Sequence, residues 1–165
     1  MSDIKKIGLG GGCHWCTEAV FQSLKGIANV EQGHISSDES MHFSEAVIVS
    51  YDPKIIPLKH LIEIHLHTHK STVNHSFRNK YRSAIYYFEE ISKNQALSFI
   101  EELQREFDDS IITKVLPFQE FQPSREELLN YYQKNPEKPF CKKYIHPKLE
   151  LLKSKYSKMM KYNSN

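Results

Sequence analysis

Apolar positions along the chain alternate between two periods, near two residues and near 3.6, and the switches mark out its elements. Residues 4–9 form a short apolar run that ends in glycine and predicts a buried strand. From Cys16 onward, Ala19, Val20, Leu24 and Ile27 recur at helical spacing, with Gly26 as a stop. Residues 30–36 make a weak strand and 43–51, FSEAVIVSY, a strong one rich in β-branched side chains. Strand alternation puts Glu45, Val47, Val49 and Tyr51 on one face, and Asp52-Pro53 ends the run. Pro57 opens a helix with Leu58, Leu61, Ile62 and His65 as its inner stripe. Residues 70–80 read as a polar loop and 81–88 as a strand. Ser92 is placed to cap a helix carrying Ala96, Phe99, Ile100, Leu103 and Phe107 inward. A strand at 111–116 follows, then an irregular stretch bounded by Pro117 and Pro123. Ser124 with Glu127 matches a capping box ahead of LLNYY. Residues 134–140 form a loop leading to Cys141, and Pro147 begins a last helical segment.

Strands joined partly by helices and partly by a direct turn predict an α+β fold, a two-layer ferredoxin-like sandwich with helices packed against a mixed sheet. The 165 residues suit one domain, expected over 1–152, with a basic C-terminal tail over 153–165. A net charge of +2, with no basic stripe interleaved with aromatics, argues against nucleic acid. No apolar segment approaches membrane length and no apolar core follows the two N-terminal lysines, so a cytoplasmic protein is expected. Three cysteines are an odd number for a disulfide framework and suit thiol chemistry in a reducing compartment.

That chemistry centres on GLGGGCHWC, residues 8–16. A helix N-terminus offers unsatisfied N–H groups and partial positive charge, both of which favour a thiolate. Cys13 falls where the glycine turn meets the helix, and the glycines leave room for a substrate. Cys16, three residues on, shares its helix face. A CxxC of this kind fits a redox pair or half of a zinc site; with no second CxxC, no metal site is expected. His65 and His69 have i, i+4 spacing, but no acid is placed to serve as a base beside them, so His65, His67, His69 and His75 read as solvated or hydrogen-bonded.

The stretch GGGCHWCTEAVFQSLKGI resembles the signature of peptide methionine sulfoxide reductase, type A. FSEAVIVSYDP, KYRSAIYY and KNPEKPFCKKYIHPKLELL are similar to three further segments of that family, in the family's order. The resemblance implies reduction of methionine S-sulfoxide, peptide-bound or free, and a role in repairing oxidised protein. Cys13 would attack the sulfoxide sulfur. Glu45 would protonate the departing oxygen, its neutral form favoured by Val47 and Val49 on the same face. Tyr81 would hydrogen-bond that oxygen. His14 and Trp15 would hold the substrate. Cys16 or Cys141 would convert the Cys13 sulfenic acid to a disulfide, Cys16 being favoured by its fixed proximity. Thioredoxin, or dithiothreitol in its place, would restore the thiols with no bound cofactor, and the chain is expected to be a monomer.

Four departures from the family pattern stand out. His14 replaces the usual phenylalanine. The loop between Ile35 and Phe43 is short and lacks a tyrosine, leaving His34 or His42 as substitutes. The family's aspartate falls near His75 or Ser76, and its later histidine aligns with Leu128. Two other functions fit the CxxC and the trimmed loops: a thiol–disulfide oxidoreductase, and a non-enzymatic relative that binds methionine-rich segments through Trp15.

Overall fold

Residues 44–51, the strongest strand signal in the sequence, run through the middle of the sheet, and every one of them is buried. The computed structural model describes residues 3–37, 42–76, 78 and 80–161. Its strands are β1 (Lys5–Gly10), β2 (Ile27–Ser36), β3 (Ser44–Tyr51), β4 (Ala84–Tyr87), β5 (Lys114–Pro117) and β6 (Glu120–Pro123). The helices are α1 (His14–Gln22), α2 (Leu58–Thr68), α3 (Glu90–Leu103), α4 (Tyr131–Lys134) and α5 (His146–Tyr156). The sheet order is β5-β4-β1-β3-β2-β6. Every pairing is antiparallel except β4 with β5, so the sheet is mixed, as expected.

Alternation along the strands divides the core. Ile7, Leu9, Val47, Val49 and Tyr51 face the helices and join Val20, Phe21, Leu61, Ile62 and Leu103 in the main cluster. Ala46, Ile48 and Tyr86 face the other way, onto Ile35, Leu116, Phe118 and Phe121. The predicted stripe of α2 is buried along its length, each large apolar side chain contributing about 1.5–3 kcal/mol. His65 belongs to that stripe and donates from Nε2 to the Gly10 carbonyl at 2.8 Å, tying α2 to the end of β1. Gly8 is required because a Cβ there would lie 2.8 Å from the Cβ of Tyr86.

Several boundaries differ from those the pattern predicts. β4 begins at Ala84 rather than at 81, because the Lys80 carbonyl accepts from the Glu45 N–H and the Ser44 hydroxyl and so holds residues 80–83 in a turn against β3. α3 starts at Glu90, and Ser92 lies inside its first turn, donating its N–H to the Glu89 carbonyl. β6 falls in the stretch expected to be irregular; it reaches β2 at Gly33, where a Cβ would stand 2.2 Å from the Gln122 carbonyl oxygen. Ser124 and Glu127 make no capping box. The Ser124 N–H donates to the Gln32 carbonyl, a 3-10 turn covers Glu126–Leu128, and α4 starts only after Asn130, whose φ is 55°. At the other end α5 passes straight through the expected boundary after Leu152. Tyr156 and Met160 are buried in the main core, and Lys161 N–H donates to the Ser23 carbonyl. Packed structure therefore reaches residue 161, where a solvated tail from 153 was expected; residues 162–165 lie outside the described residues, as do 38–41 of the short loop.

Candidate active site

β1 ends in Gly10 to Gly12 and delivers Cys13 to the first turn of α1 as its N-cap. The turn needs glycine: Gly11 has φ 152°, and a Cβ there would meet the His69 ring at 2.4 Å. His69 is fixed below it by its contacts to the His65 carbonyl (2.5 Å) and Ser83 Oγ (2.7 Å). Of the expected histidine cluster, His65 and His69 are thus internal braces, and burial pushes both well down from the ordinary imidazole range, His65 to about 4.

Cys13 is half-buried and is pulled down to about 5. The largest cause is the Cys16 thiol, which donates its S–H to the Cys13 sulfur; burial opposes it, the His14 side chain and the Trp15 backbone N–H add to it, and the Glu45 carboxylate opposes it. The same bond, with burial, pushes the Cys16 thiol far up, so Cys16 keeps its proton while Cys13 is an anion at neutral pH.

Glu45 reaches the site from the helix-facing side of β3. Cys13 Sγ, a His14 ring nitrogen and a Glu45 carboxylate oxygen all lie within 4.8 Å of one another. Apolar strand neighbours were expected around Glu45, but its two oxygens meet polar partners. Oε1 accepts the His14 backbone N–H at 3.1 Å and lies 3.4 Å from His14 Nδ1, and Oε2 lies 3.6 Å from Lys80 Nζ. Tyr81 stands in the turn before β4, beside Lys80, whose ammonium is 5.2 Å from the centre of its ring; Lys80 thereby links Tyr81 to Glu45. Tyr81 also borders a groove of about 580 Å³ with Gly11, Gly12, His75 and Tyr144.

His14 is 5% exposed, packs edge-on against His34 (5.3 Å) and approaches Ser124 Oγ through Nε2 at 3.5 Å. Of the two histidines expected to substitute in the short loop, His34 is the one beside His14. His42 is exposed, and its carbonyl accepts from Arg82. Trp15 stacks flat on Tyr131 at 4.0 Å, with Phe140 edge-on at 5.3 Å. Cys16 and Cys141 pack in one apolar cluster with Ala19 and Ile145, and Cys13 lies at its edge. Cys141 sits in a wider π turn, Cys141–Ile145, with its thiol directed at the Asn135 carbonyl and pushed up by burial.

Pattern reading missed the residues that hold this arrangement from a distance. Glu18, buried on α1, accepts the N–H groups of Asn130 (2.9 Å) and Tyr131 (3.2 Å) and the Gln32 amide (3.0 Å), which fixes Tyr131 over Trp15. Lys148 on α5 brings its ammonium toward Cys16 and Cys13 and donates to the Thr68 carbonyl. The one local signal was an acid in the first turns of an otherwise apolar helix face.

The model of the family described as peptide methionine sulfoxide reductase matches residues 5–160. The chain is 33% identical over 158 residues to "Peptide methionine sulfoxide reductase MsrA" of Sulfolobus acidocaldarius, covering 86% of this chain and 89% of that one. It is 33% identical over 175 residues to the MsrA of Chromobacterium violaceum, covering 95% and 99%. Among solved structures it is similar to reduced Mxr1 from Saccharomyces cerevisiae, with a TM-score of 0.76, 25% identity, and coverage of 84% and 89%. A second, Mxr1 in complex with Trx2, gives 0.63 at 25% identity, covering 75% of this chain and 83% of that one. A thiolate at a helix mouth beside a buried carboxyl group defines a thiol-based oxidoreductase site. The chain belongs to the peptide methionine sulfoxide reductase family.

Proposed function

We propose that Cys13 is the nucleophile, Glu45 the acid and Tyr81 an oxygen ligand in the reduction of methionine sulfoxide, the reaction of this family, with recycling by thioredoxin. The observation that carries the reading is the Cys13 thiolate at the N-cap of α1 with the Glu45 carboxyl group within 4.8 Å. Cys13 attacks the sulfoxide sulfur, and Glu45 gives a proton to the oxygen as the S–O bond breaks. The oxygen departs as water, water then attacks the Cys13 sulfur, and the thioether leaves with the electron pair of the Cys13–sulfur bond, so that Cys13 is oxidised to sulfenic acid. Cys16 then attacks the Cys13 sulfur, water departs and a disulfide forms. Cys16 is favoured as first resolving thiol because it stands on the same first turn, its N–H bonded to the Cys13 carbonyl at 3.0 Å. Cys141 packs in the same cluster as Cys16 and is the partner for a second exchange, from which thioredoxin restores the thiols. A thioredoxin complex of the similar Mxr1 supports that last partner.

His14 and Trp15 form the substrate wall, and the groove along Gly11, Gly12 and Tyr81 has room for the polypeptide that flanks an oxidised methionine. Nucleophile, acid and both resolving thiols come from one chain, which supports a monomer that needs no bound cofactor. No helix among the described residues is long and apolar enough to cross a membrane, and the thiol chemistry suits the reducing cytoplasm. The strand order β4-β1-β3-β2, with α1 and α2 as crossovers, supports a ferredoxin-like core.

The test is incubation with a racemic methionine sulfoxide peptide and dithiothreitol, with the epimers resolved by chromatography. Loss of the S epimer alone is expected, and Cys13→Ser should abolish it. Disulfide exchange with no sulfoxide consumed would overturn the assignment in favour of an oxidoreductase.

A further inference from the structure

The phenylalanine usual at position 14 has no lone pair to offer; here the position supplies an imidazole, and it lies between the thiolate and the carboxyl group. Its Nδ1 is buried with no well-placed hydrogen-bond partner and faces Glu45 Oε1 at 3.4 Å. Ligand atoms around tetrahedral zinc stand about 3.3–3.6 Å apart at ordinary Zn–N, Zn–O and Zn–S lengths. The imidazole and carboxyl group therefore already have that separation, and Cys13 Sγ is within 4.8 Å of both. We propose that Cys13, His14 and Glu45 form a binding site for a thiophilic divalent cation of the zinc class, which masks the nucleophile while it is bound.

Several features besides the three ligand atoms support this. Thiolate, imidazole and carboxylate are a donor set that zinc accepts, and three protein ligands leave a fourth position for water. His14 Nε2 lies 3.5 Å from Ser124 Oγ, so an N–H donated there leaves the Nδ1 lone pair for the metal, the outer contact that orients metal-bound imidazoles. Glu45 Oε1 is held in place by the His14 backbone N–H at 3.1 Å. Lys80 Nζ stands 3.6 Å from the far Glu45 oxygen and leaves the near one to the site, where a dication takes the place of the proton that Glu45 otherwise carries and neutralises the Cys13 thiolate. His34, edge-on to His14, is pushed down from the ordinary imidazole range, chiefly by burial. A second trio, Glu63, His67 and Glu106, has its groups already engaged: His67 Nε2 meets Glu106 at 2.7 Å, and Tyr156 donates to Glu63 at 2.9 Å.

Binding is independent of the reductase assignment; only the masking rests on it. The phosphine-reduced, metal-free protein is titrated with Zn2+ by calorimetry and, without air, with Co2+, followed by its thiolate-to-metal charge-transfer absorption. One tight ion per chain is expected, with the thiolate band present. His14→Phe and Glu45→Gln should each weaken binding about tenfold or more, the scale on which a ligand or its support counts. Circular dichroism and Cys13 alkylation of the metal-free variants report fold and thiolate separately. If His14→Phe does not fold, Glu45→Gln decides. Absence of a tight site, a loss below tenfold in a folded variant, or a Cys16→Ser variant that alone abolishes binding overturns the proposal; the last result would assign the metal to the CxxC pair. Zinc bound as described by a protein that reduces no sulfoxide would leave this site standing and remove the proposed reaction.

Discussion

Cys13 owes its ionisation to a donor three residues along the same helix more than to any cation. The reduced protein should therefore lose alkylation by iodoacetamide with a midpoint near pH 5, where the Cys13 thiolate takes up its proton. Because the Cys16 S–H is the largest cause, Cys16→Ala should move that midpoint upward by about one unit or more, read as alkylation rate against pH. Glu45→Gln keeps the shape but removes the proton; sulfoxide reduction should slow about 10²- to 10⁴-fold in single-turnover assays while Cys13 alkylation persists. Both residues were legible in the sequence, one from the glycine turn before a helical period, the other from strand alternation. The polar surroundings of Glu45 were not, because His14 and Lys80 reach it from elements 31 and 35 residues away in the chain.

At the scale of elements, α1 and the strand end that leads into it are each held by a buried side chain, and the two contacts fail under different conditions. Toward the C-terminal segment, Glu18 gathers three donors. Glu18→Ala removes the acceptor they share, leaving Gln32 only the Leu128 carbonyl, and should cost about 1–2 kcal/mol in urea unfolding, with KM rising as Tyr131 loosens from Trp15. Toward α2, buried His65 holds the Gly10 carbonyl. Its folded pKa, about 4, lies below the unfolded value near 6.5, so acid favours the unfolded chain. Stability from this group is complete above pH 6.5 and falls as pH drops toward 4, by up to about 3 kcal/mol, which denaturant midpoints at pH 7 and 4.5 should register. The apolar stripes of α2 and α3 were readable from their period. β6 was not: only Phe121 of its four residues is a large apolar side chain, and what makes it a strand is Gly33 on a partner far off in sequence.

For the whole molecule, the C-terminal segment works as a strap more than as a tail. The low apolar content of residues 153–161 hides two anchors, Tyr156 and Met160, that only the folded core reveals. Removing residues 153–165 should lower the midpoint of thermal unfolding well beyond any surface truncation, since loss of one large buried aromatic alone costs about 3–5 kcal/mol. The same C-terminal half of the chain holds Phe140 and Cys141, and thus joins a thiol of the proposed relay to the aromatic stack on α1. That stack has a practical side. The single indole in the chain lies flat against the phenol ring of Tyr131, next to the segment that shifts in the proposed exchange between Cys16 and Cys141. Ultraviolet emission from this one fluorophore will therefore brighten or dim as the relay moves, so that a stopped-flow trace can time each oxidation and recovery without any added dye.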